Sequence, residues 1–334
     1  MQQGIHTLQC VWMPVFVQCA AVVFVVVFVA VNVIFHKKCL HKCEIIVTFV
    51  AQNCENQLQV SNCIMEPIVM GILNCTPDSF FEGSRKQTER EIADRTAEIL
   101  RQGGAVIDVG AFSTRPGAEE VSLEEEMRRL RLALSVIRNE SKDAVVSVDT
   151  YRPEVARMAA EEFGVQIVND VSEGGLGTIA DMAVRGVSGD DDVPEMFREV
   201  ARLGVGYVLM SVQPDVESML RNFHREVAML RSLGVGQIIL DPGFGFGKEV
   251  VKGNFAVLRD LGQIMEAFPD LPLMAGASRK RMVWQLLEGS PDGEEALQGT
   301  MLVNLLALER GANILRVHDV KAAMDTIRIY KEIK

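Results

Sequence analysis

The chain has 334 residues and a formal net charge of −11, and 48% of its residues are hydrophobic. This length suits one large α/β domain, since α/β barrels commonly reach about 250 residues as one domain. The acidic balance argues against general nucleic-acid binding, which needs a basic face. Six of the seven cysteines precede Met65, so the remainder of the chain has the composition of a reduced, cytoplasmic protein.

The N-terminal extension, residues 1–65, contains a nearly continuous apolar stretch at residues 11–35. A run of about 20 apolar residues can cross a bilayer as a helix. The lysines that follow, Lys37, Lys38 and Lys42, would place its C-terminal side in the cytoplasm. Three interpretations stay open: a membrane anchor, upstream sequence that does not belong to the natural protein, and a globular extension. We expect contact with a membrane only if residues 11–35 are a real anchor.

From Pro67 onward, short apolar runs alternate with longer segments of helical period. The runs have the length of buried parallel strands, and they are residues 67–73, 105–110, 144–149, 165–170, 205–210, 237–242, 271–276 and 313–319. The clearest helical segment, residues 122–139, opens with the capping-box pair Ser122 and Glu125. Eight strand–helix units predict a (β/α)8 TIM barrel over residues 66–334, with a doubly wound open sheet as the second possibility.

Polar residues stand at the predicted C-terminal ends of most strands, where the active site of a (β/α)8 barrel lies. Any one of them could be a helix cap. Helix capping does not explain why nearly every strand ends in such a residue on the same rim. They are Asn74, the Ser-Thr-Arg-Pro-Gly motif at 113–117, Asp149, Asn169 with Asp170, Asp241, the Ser-Arg-Lys-Arg motif at 278–281, and Arg316 with His318.

Three of these groups suit one kind of ligand. Asp149, Asn169 and Asp241 would accept hydrogen bonds from a flat heterocycle that presents several N–H donors. Met210 and Phe246 would enclose its ring, although a methionine at such a position is as often core filler.

A second group is cationic. Arg316 and His318 follow the eighth strand, with Arg279 and Lys280 nearby, and the loops after strands seven and eight of such barrels often bind phosphate. Asn74 adjoins strand eight when the barrel closes. A neutral oxygen ligand there suits Mg²⁺, which keeps most of its waters and uses the phosphates of a substrate.

The glycine-rich stretch at residues 243–248 is not a nucleotide-binding loop. Lys248 is followed by Glu249 where Ser or Thr is required, and the glycines have the wrong spacing. We expect it to form a tight turn against a planar ligand.

Seven motifs in this order resemble those of the dihydropteroate synthases: MGILNCTPDSF, STRPG, SVDT, VNDVS, DPGFGFGK, GASRK and RVHDV. The resemblance runs from about residue 67 to the C-terminus. It implies a barrel that condenses 6-hydroxymethyl-7,8-dihydropterin diphosphate with 4-aminobenzoate, giving 7,8-dihydropteroate and pyrophosphate in folate biosynthesis, the target of sulfonamides. It also implies Mg²⁺, a homodimer and a cytoplasmic barrel. The alternatives are a non-catalytic or membrane-tethered pterin-binding barrel and a pterin-dependent methyltransferase.

The resemblance also implies a role for each matching residue. The catalytic set would be Asp149, Lys280, Arg316 and His318. The pterin-binding set would be Thr114, Asp149, Asn169, Met210, Asp241, Phe246, Lys280 and Arg316. The diphosphate would be bound by Asn74, Arg316 and His318, and Asn74 would also bind the metal. The aminobenzoate would contact Phe80, Thr114, Arg115, Pro116, Phe246 and Ser278.

Three positions depart from the family pattern. Glu82, Phe112 and Ser211 stand where Asp, Glu and His are frequent. Each lies outside the residue sets above, so we expect these differences to alter the tuning of the activity without abolishing it.

Overall fold

In the computed structural model, which describes residues 65–75, 85–111, 121–173 and 193–334, eight parallel strands form one sheet. The strands are β1 (Ile68–Asn74), β2 (Val106–Gly110), β3 (Val146–Asp149), β4 (Ile167–Asp170), β5 (Gly206–Met210), β6 (Ile238–Asp241), β7 (Met274–Ala275) and β8 (Ile314–Val317). They pair in the order β6-β5-β4-β3-β2-β1-β8-β7. A bridge between Leu240 and Leu273 joins β6 to β7, so the sheet closes into a barrel.

Helices follow the strands along the described part of the chain. They are α1 (Arg85–Arg101), α2 (Leu123–Glu140), α3 (Pro153–Phe163), α4 (Glu195–Leu203), α5 (Val216–Ser232), α6 (Lys252–Asp260), α7 (Gly262–Ala267), α8 (Arg281–Leu286), α9 (Glu294–Glu309) and α10 (Val320–Ile333). The predicted (β/α)8 TIM barrel is therefore confirmed, and the open sheet is wrong. None of the helices in the described ranges has the length and hydropathy that a bilayer-spanning helix needs. The apolar stretch at residues 11–35 lies outside those ranges.

Several strands are shorter than their apolar runs predict. Val165 was expected in β4, but its N–H donates to Ala159 O at the end of α3, where Gly164 adopts the left-handed conformation that ends many helices. β7 keeps two residues, since Pro272 before it has no N–H for a strand ladder. At the start of α2 the Ser122 half of the predicted capping box is confirmed, because its hydroxyl accepts a hydrogen bond from Glu125 N at 3.2 Å, whereas the Glu125 carboxylate pairs with Arg128 and Arg129.

Two apolar layers hold the barrel together. Side chains alternate between the two faces of a strand, so the outward-facing residues, such as Val69, Ile107 and Val168, join the large core shared with the helices. Inside the barrel, a separate layer takes one apolar residue from each strand or from the position just before it. This inner layer consists of Met70, Val106, Val145, Ile167, Val208, Ile239, Met274 and Ile314. It fixes which residues of each strand point into the barrel.

Candidate active site

The predicted site residues on the strands all occupy positions whose side chains face into the barrel. Counting two residues along each strand from the inner apolar layer gives Ile72, Asp108, Ser147, Asn169, Met210, Asp241, Gly276 and Arg316. Two residues further lie Asn74, Gly110, Asp149, Ser278 and His318 at the rim. Two residues along the strands therefore separate an apolar layer of the barrel interior from a mostly polar one. The polar layer lies towards the C-terminal ends of the strands, where such barrels place their active sites.

A buried ion-pair network occupies the centre of this polar layer. Arg316 donates from Nε to Asp108 Oδ2 and from Nη2 to Asp149 Oδ2, both at 2.6 Å. Asn169 Nδ2 donates to the same Asp108 oxygen at 3.0 Å. One oxygen on each of Asp108, Asp149 and Asn169 is buried without a hydrogen-bond partner among the described residues. Because buried acceptors are rarely left unpaired in proteins, these three oxygens are available to hydrogen-bond donors from outside the described residues.

Asp241 and Lys280 form the neighbouring side of the pocket. Asp241 Oδ1 accepts from Gly243 N at 2.8 Å. Lys280 Nζ donates to Phe244 O and lies 4.6 Å from the centre of the Phe246 ring. Phe246 in turn packs against the cluster that contains the buried Met210. The structure thus brings together the two residues that the sequence predicts on either side of a planar ring.

Gly276 leaves the space between Asp241 and Arg316 open. A Cβ at this position would lie 3.8 Å from Asp241 Oδ2 and 3.9 Å from Arg316 Cδ. A side chain at this position would therefore extend between the carboxylate and the guanidinium, and the glycine leaves that approach clear of protein atoms.

Burial shifts the proton affinities of this cluster. It raises the pKa of Asp149 to about 7, although Arg316 opposes the rise. It also raises the pKa of Asp241, opposed by Lys280, and lowers the pKa of Lys280 to about 8, opposed by Asp241. A ligand that donates N–H groups to Asp149 and Asp241 would favour their ionised forms, so ligand binding and proton release are coupled in this pocket.

Asn74 and His318 lie on the other side of the rim, at the ends of β1 and β8. Both line a cavity of about 430 Å³. His318 is held by Ser278, whose hydroxyl lies 3.1 Å from His318 Nδ1 and accepts from His318 N at 3.1 Å. Ser278, predicted to contact the aminobenzoate, is therefore engaged with His318.

Arg279 does not face the site with Arg316, His318 and Lys280, although the sequence groups it with them. Its guanidinium pairs with Asp319 at 2.7 and 3.0 Å and donates to Pro291 O. The backbone of Arg279 has a φ of 52°, and this turn separates it from Lys280, which does face the pocket.

Lys248 holds the glycine-rich loop and does not face a phosphate. Its Nζ donates to Phe246 O at 2.8 Å and to Gly243 O at 3.0 Å. Gly243 has a φ of 65°, and a Cβ there would lie 2.1 Å from Ser211 O. The loop is a tight turn, as predicted, and it needs glycine because it rests directly on the backbone after β5.

Sequence reasoning missed Asp108, the residue that joins Arg316 to Asn169. The signal was present, since a single aspartate interrupts an otherwise apolar buried strand and a buried carboxylate needs a partner. Other predicted residues lie outside the described ranges: Phe80, Glu82, Phe112, Thr114, Arg115 and Pro116.

Comparison with known proteins agrees with this geometry. A family profile described as pterin binding enzyme matches residues 70–318. The dihydropteroate synthase of Escherichia coli K12 is 34% identical over 281 residues, which cover 80% of this chain and 91% of that protein. The solved structure of Xanthomonas albilineans dihydropteroate synthase with 4-aminobenzoic acid has a TM-score of 0.68 and 33% identity, and covers 80% of this chain and 93% of that one. A Clostridium difficile dihydropteroate synthase in the presence of pteroic acid has a TM-score of 0.68 and 31% identity, covering 83% and 99%.

Proposed function

This chain belongs to the pterin-binding enzyme family, and we propose that it is a dihydropteroate synthase of folate biosynthesis. It condenses 6-hydroxymethyl-7,8-dihydropterin diphosphate with 4-aminobenzoate to give 7,8-dihydropteroate and pyrophosphate. The observation that carries the proposal is the set of three unpartnered buried oxygens on Asp108, Asp149 and Asn169. They lie inside a barrel that is similar, over four fifths of the chain, to synthases solved with 4-aminobenzoic acid and with pteroic acid. A pterin-dependent methyltransferase and a non-catalytic barrel are not favoured.

The pterin lies in the polar layer of the barrel. Asp149, Asn169 and Asp241 accept its N–H groups, and Lys280 donates to its ring acceptors. Met210 and Phe246 contact the faces of the ring, supported by their common cluster. Because Asp149 already accepts from Arg316 through Oδ2, its unpartnered Oδ1 is the atom available to the pterin. The predicted set also contains Arg316 and, outside the described ranges, Thr114.

The diphosphate lies toward Asn74, His318 and Arg316. Two nitrogens of Arg316 are bound to carboxylates, and Nη1 forms no hydrogen bond with the described residues. That nitrogen can donate to the diphosphate while the other two keep the guanidinium in place. His318 is fixed by Ser278, so its ring has a defined orientation before the substrate arrives.

Asn74 fits the predicted magnesium site. Its side chain is exposed at the end of β1, and its oxygen is a neutral hard ligand of the kind that Mg²⁺ accepts when phosphates and water complete the shell. When bound, the metal would neutralise charge on the leaving diphosphate. The protein supplies the remaining positive charge from Arg316 and Lys280.

The reaction replaces one bond by another at the pterin methylene carbon. The carbon–oxygen bond to the diphosphate breaks with its electron pair leaving on oxygen, and the arylamine nitrogen of 4-aminobenzoate forms the new carbon–nitrogen bond and loses a proton. The buried acceptors orient the pterin, and its electron-rich ring stabilises the developing positive charge. A site that excludes water protects this electrophilic carbon from hydrolysis. Our predicted aminobenzoate contacts remain Phe80, Thr114, Arg115, Pro116, Phe246 and Ser278.

We also propose a homodimer with its catalytic barrel in the cytoplasm. The large exposed hydrophobic residues of the described ranges lie on α8, α9 and α10 or just after α8: Leu286, Leu287, Leu302, Leu306, Ile329 and Ile333. This face suits contact with a second copy. Sedimentation should give a dimer for the wild type and a monomer for Leu302→Glu; a monomeric wild type would contradict the dimer.

The direct test of the activity is product identification. The purified full-length chain is incubated with both substrates and Mg²⁺, and dihydropteroate is detected by mass spectrometry. Product should form only when both substrates are present, should be lost with a chelator and should return with added Mg²⁺. Absence of product from a folded chain that also fails to bind pterin would overturn the proposal.

A further inference from the structure

We propose that Arg95 is a positioning residue that sets the separation between Asn74 and His318. This inference rests on the proposed function, in which those two residues hold the metal and the diphosphate. Arg95 lies on α1, outside the strands that carry the site, and belongs to none of the motifs described above.

Arg95 joins β1 and β8 beyond the point where their ladder ends. The two strands pair from Ile68 with Ile314 to Gly71 with Val317, so Ile72 and His318 are the first residues past the last pair. Arg95 Nε and Nη2 donate to Ile72 O at 3.3 and 3.2 Å. Nη2 also donates to His318 O at 2.5 Å. One planar guanidinium therefore supplies the donors that the strand ladder no longer provides.

The guanidinium is itself held in place. Arg95 Nη1 pairs with Glu98 Oε2 at 2.7 Å, and the arginine side chain is 26% exposed. Nη2 bonds to both carbonyls and Nε adds a second bond to Ile72 O, so the rigid, planar guanidinium holds the two carbonyls in one arrangement. A lysine ammonium could bond to these carbonyls, but it lacks the second nitrogen and the rigid plane that fix their arrangement.

The two carbonyls position the proposed metal and diphosphate ligands. Asn74 lies two residues beyond Ile72 on the same strand, and both Asn74 and His318 line the 430 Å³ cavity together with Arg95. Ser278 holds His318 through its backbone N–H and ring. Without Arg95, His318 would stay bonded to Ser278, but its separation from Asn74 would lose the constraint that Arg95 supplies. The pterin pocket of Asp149, Asn169 and Asp241 lies on other strands and does not depend on this contact.

Arg138 provides a matched control for a merely structural role. It lies on α2 and donates to Ala144 O at 2.7 Å, Phe163 O at 2.8 Å and Gly164 O at 3.0 Å. It therefore also joins backbone carbonyls of different segments. These segments precede β3 and β4, at the end of the barrel opposite the site.

The experiment compares Arg95→Met, Arg95→Lys and Arg138→Met in the full-length chain. For each, calorimetry measures the affinity for pyrophosphate with Mg²⁺ and for a pterin that lacks the diphosphate, and thermal unfolding measures stability. Arg95→Met should weaken pyrophosphate binding about tenfold or more, as expected when paired ligands lose their set distance, and should leave pterin binding within about twofold. Arg95→Lys should recover part of the loss. Arg138→Met should lower the unfolding temperature and leave both affinities unchanged.

Two outcomes would overturn the inference. One is unchanged pyrophosphate affinity in Arg95→Met, and the other is an equal loss for pterin and pyrophosphate, which would mean general destabilisation. If Arg95→Met does not fold, the same comparison in Arg95→Lys decides: a selective loss of pyrophosphate affinity supports the inference, and unchanged or unselective binding removes it. A wild-type chain that binds neither ligand would instead refute the proposed function, so the two failures can be told apart.

Discussion

Replacing Asp241 by asparagine tests the pterin pocket with little change in shape. Asp241 is 6% exposed, and its Oδ1 accepts from Gly243 N at 2.8 Å. The amide oxygen of asparagine can keep that bond. The amide NH₂ then takes the place of Oδ2, which lies 3.8 Å from a Cβ placed on Gly276, so an acceptor becomes a donor and the negative charge is lost.

The expected loss follows from the bonds removed. A hydrogen bond to a charged group contributes about 1.5–3 kcal/mol, and a buried donor left facing another donor adds to the cost. We therefore expect Asp241→Asn to weaken pterin binding by about 2 kcal/mol, or roughly 30-fold in Kd. Calorimetric titration with a diphosphate-free pterin measures this directly, since it excludes contributions from Asn74 and His318.

Asp170 is the matched control, since it ends β4, two strands away from β6, but faces outward. It accepts from Ser172 N and from the Tyr207 hydroxyl, both at 2.7 Å. Asp170→Asn should lower stability and leave pterin affinity within about twofold. Pterin affinity that is unchanged in Asp241→Asn, or reduced equally in both variants, would refute the assignment of Asp241 to the pterin.

Three further predictions address proton coupling, the loop and the domain boundary. Because burial raises the pKa of Asp149 to about 7, the carboxyl carries a proton below that pH and must release it to accept a pterin N–H. Pterin affinity should therefore rise as the pH increases towards 7, below the range in which Lys280 loses its proton, and a flat profile over this range that Asp149→Asn does not alter would contradict this. Gly243→Ala places a Cβ 2.1 Å from Ser211 O at a φ of 65°, so chemical denaturation should show a loss of about 2 kcal/mol or more in the free energy of unfolding, and an unchanged value would contradict the tight turn. A chain that starts at Met65 should fold and catalyse the reaction like the full chain, since the motifs begin at residue 67. If this shortened chain does not fold, the predicted domain boundary is wrong.

The architecture and the positions of several rim residues could be predicted, because apolar runs that alternate with helical segments show where the parallel strands end. Apolar runs alternating with helical segments predict parallel strands, and the C-terminal ends of parallel strands share one rim. Asn169 and Asp241 stand at two of those ends, and the structure shows them facing the interior. Asp170, the neighbour of Asn169, faces outward, as the alternation requires.

The rest of the site depends on contacts between distant parts of the chain. Asp108 was missed because it lies inside its strand, and its partner Arg316 is 208 positions away. Arg279 was grouped with Lys280 because they are adjacent, but the positive φ of Arg279 directs it to Asp319. No periodicity in the sequence predicts that Arg95, on a helix, would bind the carbonyl of His318.

The most direct test of the central claim is the dependence of pyrophosphate release on 4-aminobenzoate. The full-length chain is given the pterin diphosphate and Mg²⁺, and pyrophosphate is measured before and after aminobenzoate is added, alongside the dihydropteroate formed. A condensing enzyme with a closed site should release pyrophosphate only after the addition, with one pyrophosphate for each dihydropteroate. Release at the same rate without aminobenzoate would show hydrolysis of the pterin diphosphate and would contradict the proposed condensation.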